Sequence, residues 1–177
     1  MRGCASIVFA MLVACAMTKE VGAVSATSVK PVPDPAAVRL LALNMYHEAG
    51  GEGRKGMLAV GWVVLNRMAG GSFPKTVEGV VEQGCQFGWR CDDRSDEPTH
   101  RAHWLQAQSI ARELLTEPPP DPTRGAMWFH HATNEHPGWG GRMAASVQIG
   151  NRLFYAPTSR LPKPRVKPWR ALQVASR

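Results

Sequence analysis

What this 177-residue chain lacks narrows it quickly. Its most apolar stretch, Ala5–Ala14 behind Arg2, is too short to span a bilayer as a mature helix. No Gly-x-Ser-x-Gly elbow presents a serine nucleophile. No glycine-rich loop with a lysine-serine pair cradles a phosphate, since the glycines at 50, 51 and 53 follow a helical pattern and not a strand. The pair His47-Glu48 raises the question of a zinc-peptidase helix, which needs a second histidine four residues after the first, yet position 51 is glycine. No internal repeat occurs. Acids are absent from Arg160 onward while six Lys and Arg are present, so the tail accounts for six of the seven net positive charges. The rest of the chain is near neutral, which argues against a nucleic-acid footprint spread over a fold.

Both ends read as non-globular. Arg2 and the short apolar run that follows have the form of a secretory signal over residues 1–26, placing the protein outside the cytoplasm, in a periplasm or beyond the cell. Two processing routes are open: cleavage at a small-x-small site such as Val21-Gly22-Ala23, or lipid attachment at Cys15 after Leu12-Val13-Ala14. Residues 27–35, with Pro31, Pro33 and Pro35, form a linker, and residues 36–157 the globular domain. Residues 158–177 are a basic, proline-punctuated arm suited to a weak, salt-dependent hold on an anionic envelope surface, or to no partner at all. Of the four cysteines, Cys4 and Cys15 fall in the leader. Cys85 and Cys91 remain, and an exported protein invites their pairing in a small loop that pins Gln86–Trp89; two free thiols are the alternative.

Asp34-Pro35 predicts an N-cap followed by a helix. Val38, Leu41 and Met45 recur along one stripe and bring Tyr46 and Glu48 to the helix end, where Gly50 and Gly51 break it. Met57–Met68 is nearly all apolar and predicts a central buried helix. Thr76 caps a short helix through Val81, and Asp92–Glu97 is a surface loop. Asp96 or Thr99 starts another long helix whose apolar face carries Trp104, Ala107, Ile110 and Leu114, with Trp62 and Trp104 assigned to the core. Beyond Pro118–Pro120, Ala126–His130 predicts a strand, and Ser146–Ile149 with Leu153–Tyr155 a hairpin about Gly150-Asn151-Arg152. The fold class that follows is α+β, mostly helical with a small β-hairpin.

The chemistry left open is that of a carboxylic acid beside aromatics and amides. Glycosidic cleavage needs a proton on the leaving oxygen, and a desolvated Glu can hold one near neutral pH. Glu48 and Glu52 are the candidates, with Tyr46, Phe87, Trp89, Trp128 and Trp139 as walls for sugar rings, although an aromatic is more often core than platform. The rival is a zinc-dependent amidase or peptidase built on His130, His131 and His136. Adjacent histidines on a strand point to opposite faces, so one of His130 and His131 is expected in a given cleft. A third reading is a non-catalytic glycan-binding envelope protein.

Tyr46–Glu52, Gly56, Ala59-Val60, Leu65-Asn66-Arg67, Phe73-Pro74, Val77, Val80, Gln86-Phe87, Asp121-Pro122-Thr123, Gly125-Ala126, Trp139 and Ile149–Asn151 followed by Phe154-Tyr155 occur in one order over Leu40–Tyr155. In that order they resemble the SleB/CwlJ-type bacterial cell wall hydrolases, known from spore-cortex-lytic enzymes. The resemblance implies a lysozyme-like α+β fold and cleavage of the peptidoglycan glycan strand, as a lytic transglycosylase or a hydrolase, without a cofactor. It places the general acid/base on Glu48 and a second acid on Glu52. Asn66 stands in support, and Tyr46, Gln86, Phe87, Trp89 and Trp139 face the glycan. Gly50 stands where the family usually has arginine, which removes one partner for these acids.

Overall fold

A computed structural model describes residues 32–133 and 143–160. Four α-helices precede a three-stranded antiparallel sheet: α1 Pro35–Ala49, α2 Gly53–Ala69, α3 Val77–Val81, α4 Arg101–Thr116, β1 Trp128–His131, β2 Met143–Ile149 and β3 Arg152–Pro157. No helix among the described residues is long and apolar enough to cross a membrane.

Local sequence accounts for most boundaries. The Asp34 carboxylate accepts a hydrogen bond from the Ala36 amide at 3.0 Å, and Pro35 opens α1 with a preset φ. Thr76 caps α3 through the Gly79 amide at 3.0 Å. The start of α4 differs from expectation: neither Asp96 nor Thr99 caps it, and His100 takes that place, its Nδ1 accepting from the His103 amide at 3.4 Å. Thr99 is engaged elsewhere, its amide donating to the Tyr46 hydroxyl. The expected break at Gly50-Gly51 is present, α1 ending at Ala49 with Gly50 as its C-cap. Those residues tighten into a 3₁₀ turn through Glu52, and the chain turns at Gly53, whose φ of +65° is open to glycine at little cost.

Leu41 and Met45 of α1, Val60 and Val64 of α2, and Ile110 and Leu114 of α4 are buried together, so α2 is the central helix of the bundle. Gly61 makes this packing feasible, because a Cβ there would lie 2.4 Å from Leu114 Cδ1 and 2.8 Å from Met45 Sδ. Trp62 and Trp104, expected in the core, are partly buried and pack against it. Arg54 of α2 holds Glu113 of α4 through both carboxylate oxygens at 2.8 and 2.6 Å.

The sheet has the order β1-β3-β2. A two-residue connection, Gly150-Asn151, joins β2 to β3, with Gly150 at φ +56° as a type II′ turn requires at its first central position. A bulge between Ala145 and Val147 lets the Ser146 hydroxyl donate to Thr123 O at 2.8 Å, anchoring the strand to the preceding loop. Phe154 and Ala126 meet Ala59 and Val63 of α2 in a second small core. The sheet is thereby seated on the same helix that carries the bundle, with Gly150 and Arg152 of the hairpin against Glu52.

Candidate active site

Glu48 lies in the last turn of α1, partly buried, and lines two adjoining cavities. The smaller, about 340 Å³, is walled by His47, Trp89 and the loop residues Asp92, Arg94, Ser95 and Asp96. The larger, about 430 Å³, is walled by Arg67, Gln86, Trp128, His131 and Arg152 among others. Glu48 is the residue they share, at the junction of a two-lobed cleft. Burial raises its pKa above the ordinary carboxylate value, and the positive charges of Arg152, His47, Arg67 and His131 oppose that rise without cancelling it. Among the described residues no hydrogen bond or close ion pair ties down the Glu48 carboxyl group.

The wall on the side of the smaller cavity is built from stacked rings. Trp89 donates its indole N–H to Asn44 Oδ1 at 3.0 Å, and His47 stacks on its face with centroids 4.7 Å apart. His47 Nε2 lies 3.0 Å from the Asp96 carbonyl, fastening the 92–96 loop to α1. Asp96 in turn pairs with Arg90 at 2.6 Å, and Arg90 also holds Glu82 at 2.7 Å. The disulfide Cys85–Cys91, with Cα atoms 5.7 Å apart, closes the segment that carries Gln86 and Trp89 to the cleft.

Arginine dominates the other lobe. Arg67 of α2 is 3% exposed, its Nε donates to the Met127 carbonyl at 2.7 Å, and its guanidinium lies 5.2 Å from the ring centres of both Phe73 and Phe87. Burial lowers its pKa to about 10, with Glu48 acting against the shift, so it stays charged at neutral pH. Arg152, 7% exposed, faces the Phe129 ring at 5.2 Å and pairs with Glu52 at 3.1 Å. This pair is a charge contact and not a directed hydrogen bond, since neither Arg152 Nε nor Glu52 Oε2 has a hydrogen-bond partner.

The residues expected at the site therefore divide. Glu48, Gln86 and Trp89 line the cleft. Glu52 lines neither cavity. Its side chain is wedged between Gly56 and Gly150, where added Cβ atoms would come within 2.5 Å and 2.7 Å of it, and it balances Arg152 from behind. Tyr46 also stands back: its hydroxyl accepts from the amides of Thr99 and His100 at 3.0 and 2.9 Å and so holds the approach to α4. Those bonds, the Thr99 side chain first, lower its pKa. Phe87 is buried beneath Arg67 and lines neither cavity. Asn66 is internal as well, its amide donating to Asp121 Oδ2, Thr123 Oγ1 and the Ala126 carbonyl at 3.0, 3.3 and 3.1 Å. Trp139 and His136 lie outside the described residues.

His130 and His131 both line the larger cavity, contrary to the alternation expected of a strand. His131 is the exposed last residue of β1, where the cavity reaches round the strand end and alternation no longer separates faces. His130 Nε2 is 2.9 Å from the Tyr155 hydroxyl. Among the described residues no group of three His, Cys, Asp or Glu side chains is arranged to hold a metal ion.

Sequence reasoning missed Arg67, Arg152, His47 and the 92–96 loop as parts of the cleft. Arg67 carried a signal, being a cation inside a nearly continuous apolar helix. The loop carried none, because its charges look like any solvated turn.

The site is thus a partly buried carboxylic acid at the junction of two cavities on an α+β frame. Residues 51–155, more than half of the chain, match the cell wall hydrolase family model, and the protein belongs to that family. It is 30% identical over 119 residues to a spore cortex-lytic enzyme of Oceanobacillus iheyensis, covering 66% of this chain and 40% of that protein. A spore cortex-lytic enzyme of Bacillus subtilis is 28% identical over the same length, 36% of its own chain. The protein thus spans well under half the length of these relatives. Among solved structures, the catalytic domain of the Bacillus cereus SleB protein superposes with a TM-score of 0.56 at 25% identity, covering 72% of this chain and 95% of that one. The catalytic domain of the germination-specific lytic transglycosylase SleB of Bacillus anthracis gives 0.57 at 24% identity, 71% and 98%. The fold is therefore the lysozyme-like fold of the SleB catalytic domain.

Proposed function

We propose that this protein cleaves the glycan strand of peptidoglycan as a lytic transglycosylase, with Glu48 as its single general acid and base. The observation that carries the reading is the position of Glu48: one carboxyl group, raised in pKa by burial, shared by both lobes of the cleft, while Glu52 is committed to Arg152 outside it. In the acid form Glu48 donates its proton to the glycosidic oxygen as the C1–O bond breaks. The resulting carboxylate then takes the proton of the sugar's own C6 hydroxyl as that oxygen closes on C1. The product is a 1,6-anhydro sugar, Glu48 is protonated again, and no water or protein nucleophile is consumed. Arg67 and Arg152 stabilise the carboxylate between the two half-reactions, and Glu52 acts on the site through Arg152.

The family match, the relatives' names and the structural neighbour described as a lytic transglycosylase support this reading over a zinc amidase or peptidase. Peptidoglycan as substrate places the protein outside the cytoplasm, in keeping with a cleaved leader over 1–26 or a lipid on Cys15; the mass of the mature protein separates these routes. Residues 36–157 are the catalytic domain, and the basic arm supplies weak adhesion to the envelope.

Digestion of purified sacculi with analysis by mass spectrometry tests the proposal. Anhydromuramyl ends are expected from the wild type, and from Glu48→Gln at a rate lower by a factor on the order of 10² or more. New amino groups on the stem peptides, or loss of turnover on adding a chelator, would overturn it.

A further inference from the structure

We propose that the Arg67–Arg152 lobe of the cleft is a carboxylate-recognition site for the side chain of the muramic acid residue at the scissile bond. This rests on the glycan-cleaving reading above and adds a specificity to it. The two guanidinium groups share one cavity of about 430 Å³ with Glu48. Arg67 is fixed in place before any ligand arrives: Nε is used by the Met127 carbonyl, the guanidinium lies 5.2 Å from the ring centres of Phe73 and Phe87, and Nη1 is buried with no hydrogen-bond partner among the described residues. A desolvated guanidinium with an unused donor is poised for a carboxylate or a carbonyl oxygen, which it receives in a fork geometry.

Charge balance points the same way. When Glu48 carries the proton that cleavage requires, the described lining of the lobe holds Arg67 and Arg152, of which Arg152 has Glu52 behind it and Arg67 has no carboxylate partner among the described residues. A substrate carboxylate fills that deficit, and by occupying the arginines it removes the attraction that draws Glu48 toward its ionised form. The opposite lobe sets Arg94 beside Asp92 and Asp96, the latter already paired with Arg90, and so offers an anion no comparable positive excess. The strand is therefore oriented with its anionic substituent toward Arg67. Muramic acid bears a lactyl ether two ring carbons from its anomeric carbon, within the compass of one such cavity, and N-acetylglucosamine has no counterpart. The carboxylate comes either from the lactyl group, where the peptide has been removed, or from an attached stem peptide.

The test uses the full chain on three substrates: peptide-bearing glycan strands, amidase-stripped strands with free lactyl carboxylates, and stripped strands converted to neutral methylamides. Methylamide formation is expected to lower kcat/KM by about tenfold or more against the stripped strands, mainly through KM. In Arg67→Gln that discrimination is expected to disappear. Preference for stripped strands identifies the lactyl group as the source, and preference for peptide-bearing strands the stem peptide. Equal cleavage of anionic and neutral strands by the wild type overturns the proposal, whether or not the arginine variant folds. Should the wild type cleave nothing, the glycan-cleaving reading fails separately. Calorimetric titration with N-acetylmuramic acid and its methylamide then still decides this one, equal affinity overturning it.

Discussion

Glu48 is held at a junction where burial and four cations pull its proton in opposite directions, and burial prevails. Its folded pKa thus lies above its unfolded one, so across the window between them the native state keeps a proton that the unfolded chain has lost. Stability falls as pH rises through that window and stays reduced above it. Glu48→Gln removes the penalty: the thermal transition is expected to rise by a few degrees at neutral to alkaline pH and to stay unchanged at acid pH, as calorimetry would read. Muropeptide release by the same variant is expected to fall by a factor on the order of 10² to 10⁴. In the wild type, activity declines on the alkaline side as Glu48 ionises, at a pH above the ordinary carboxylate range. Glu52 behaves differently because its partner is fixed. Glu52→Ala leaves Arg152 buried without its countercharge, with a loss of about 3 kcal/mol expected in urea denaturation.

Among the elements, α2 has the widest set of obligations. It packs on α1 and α4 through one side, seats the sheet through Ala59 and Val63, and delivers Arg67 to the cleft. Gly61 sets its distance from the neighbouring helices. Gly61→Ala forces a methyl group against Leu114 and Met45, and a destabilisation of about 1–3 kcal/mol is expected from equilibrium unfolding. The 85–91 segment is a small element of another kind, a disulfide-closed wall of the cleft. So short a loop removes little entropy from the unfolded chain, and Cys85→Ser with Cys91→Ser is expected to cost about 2 kcal/mol. Activity in that double variant is expected to drop further than the stability loss explains, because Gln86 and Trp89 lose their common support.

Across the whole molecule, charge is segregated. The near-neutral domain carries a cleft with two arginines in one lobe and Asp92, Arg94 and Asp96 together in the other, and six of the seven net charges sit from Arg160 onward. Removing residues 161–177 is expected to weaken co-sedimentation with sacculi at low salt and to make no difference at high salt, where the surface charges are screened.

The sequence by itself determined the elements and the place of Glu48 among them. Periodic apolar positions, Asp34-Pro35, Thr76 and the Gly150-Asn151 turn are local signals, and each is answered by a helix, cap or hairpin where it was read. The placing of Glu48 at a helix end followed from the same local reasoning. Tertiary structure alone decided which residues face one another. Glu52, four positions from Glu48, is drawn under the hairpin by Arg152, a residue a hundred positions away. Asn66 and Arg67 are neighbours in sequence yet part company: one turns inward to Asp121 and Thr123, and the other lines the cleft. Periodicity reports which face of a helix is buried; it says nothing of what is buried against it. The partner of a buried charge is set by the packing of distant segments, and so the position of Glu48 at a helix end was legible in the chain while its electrostatic surroundings were not.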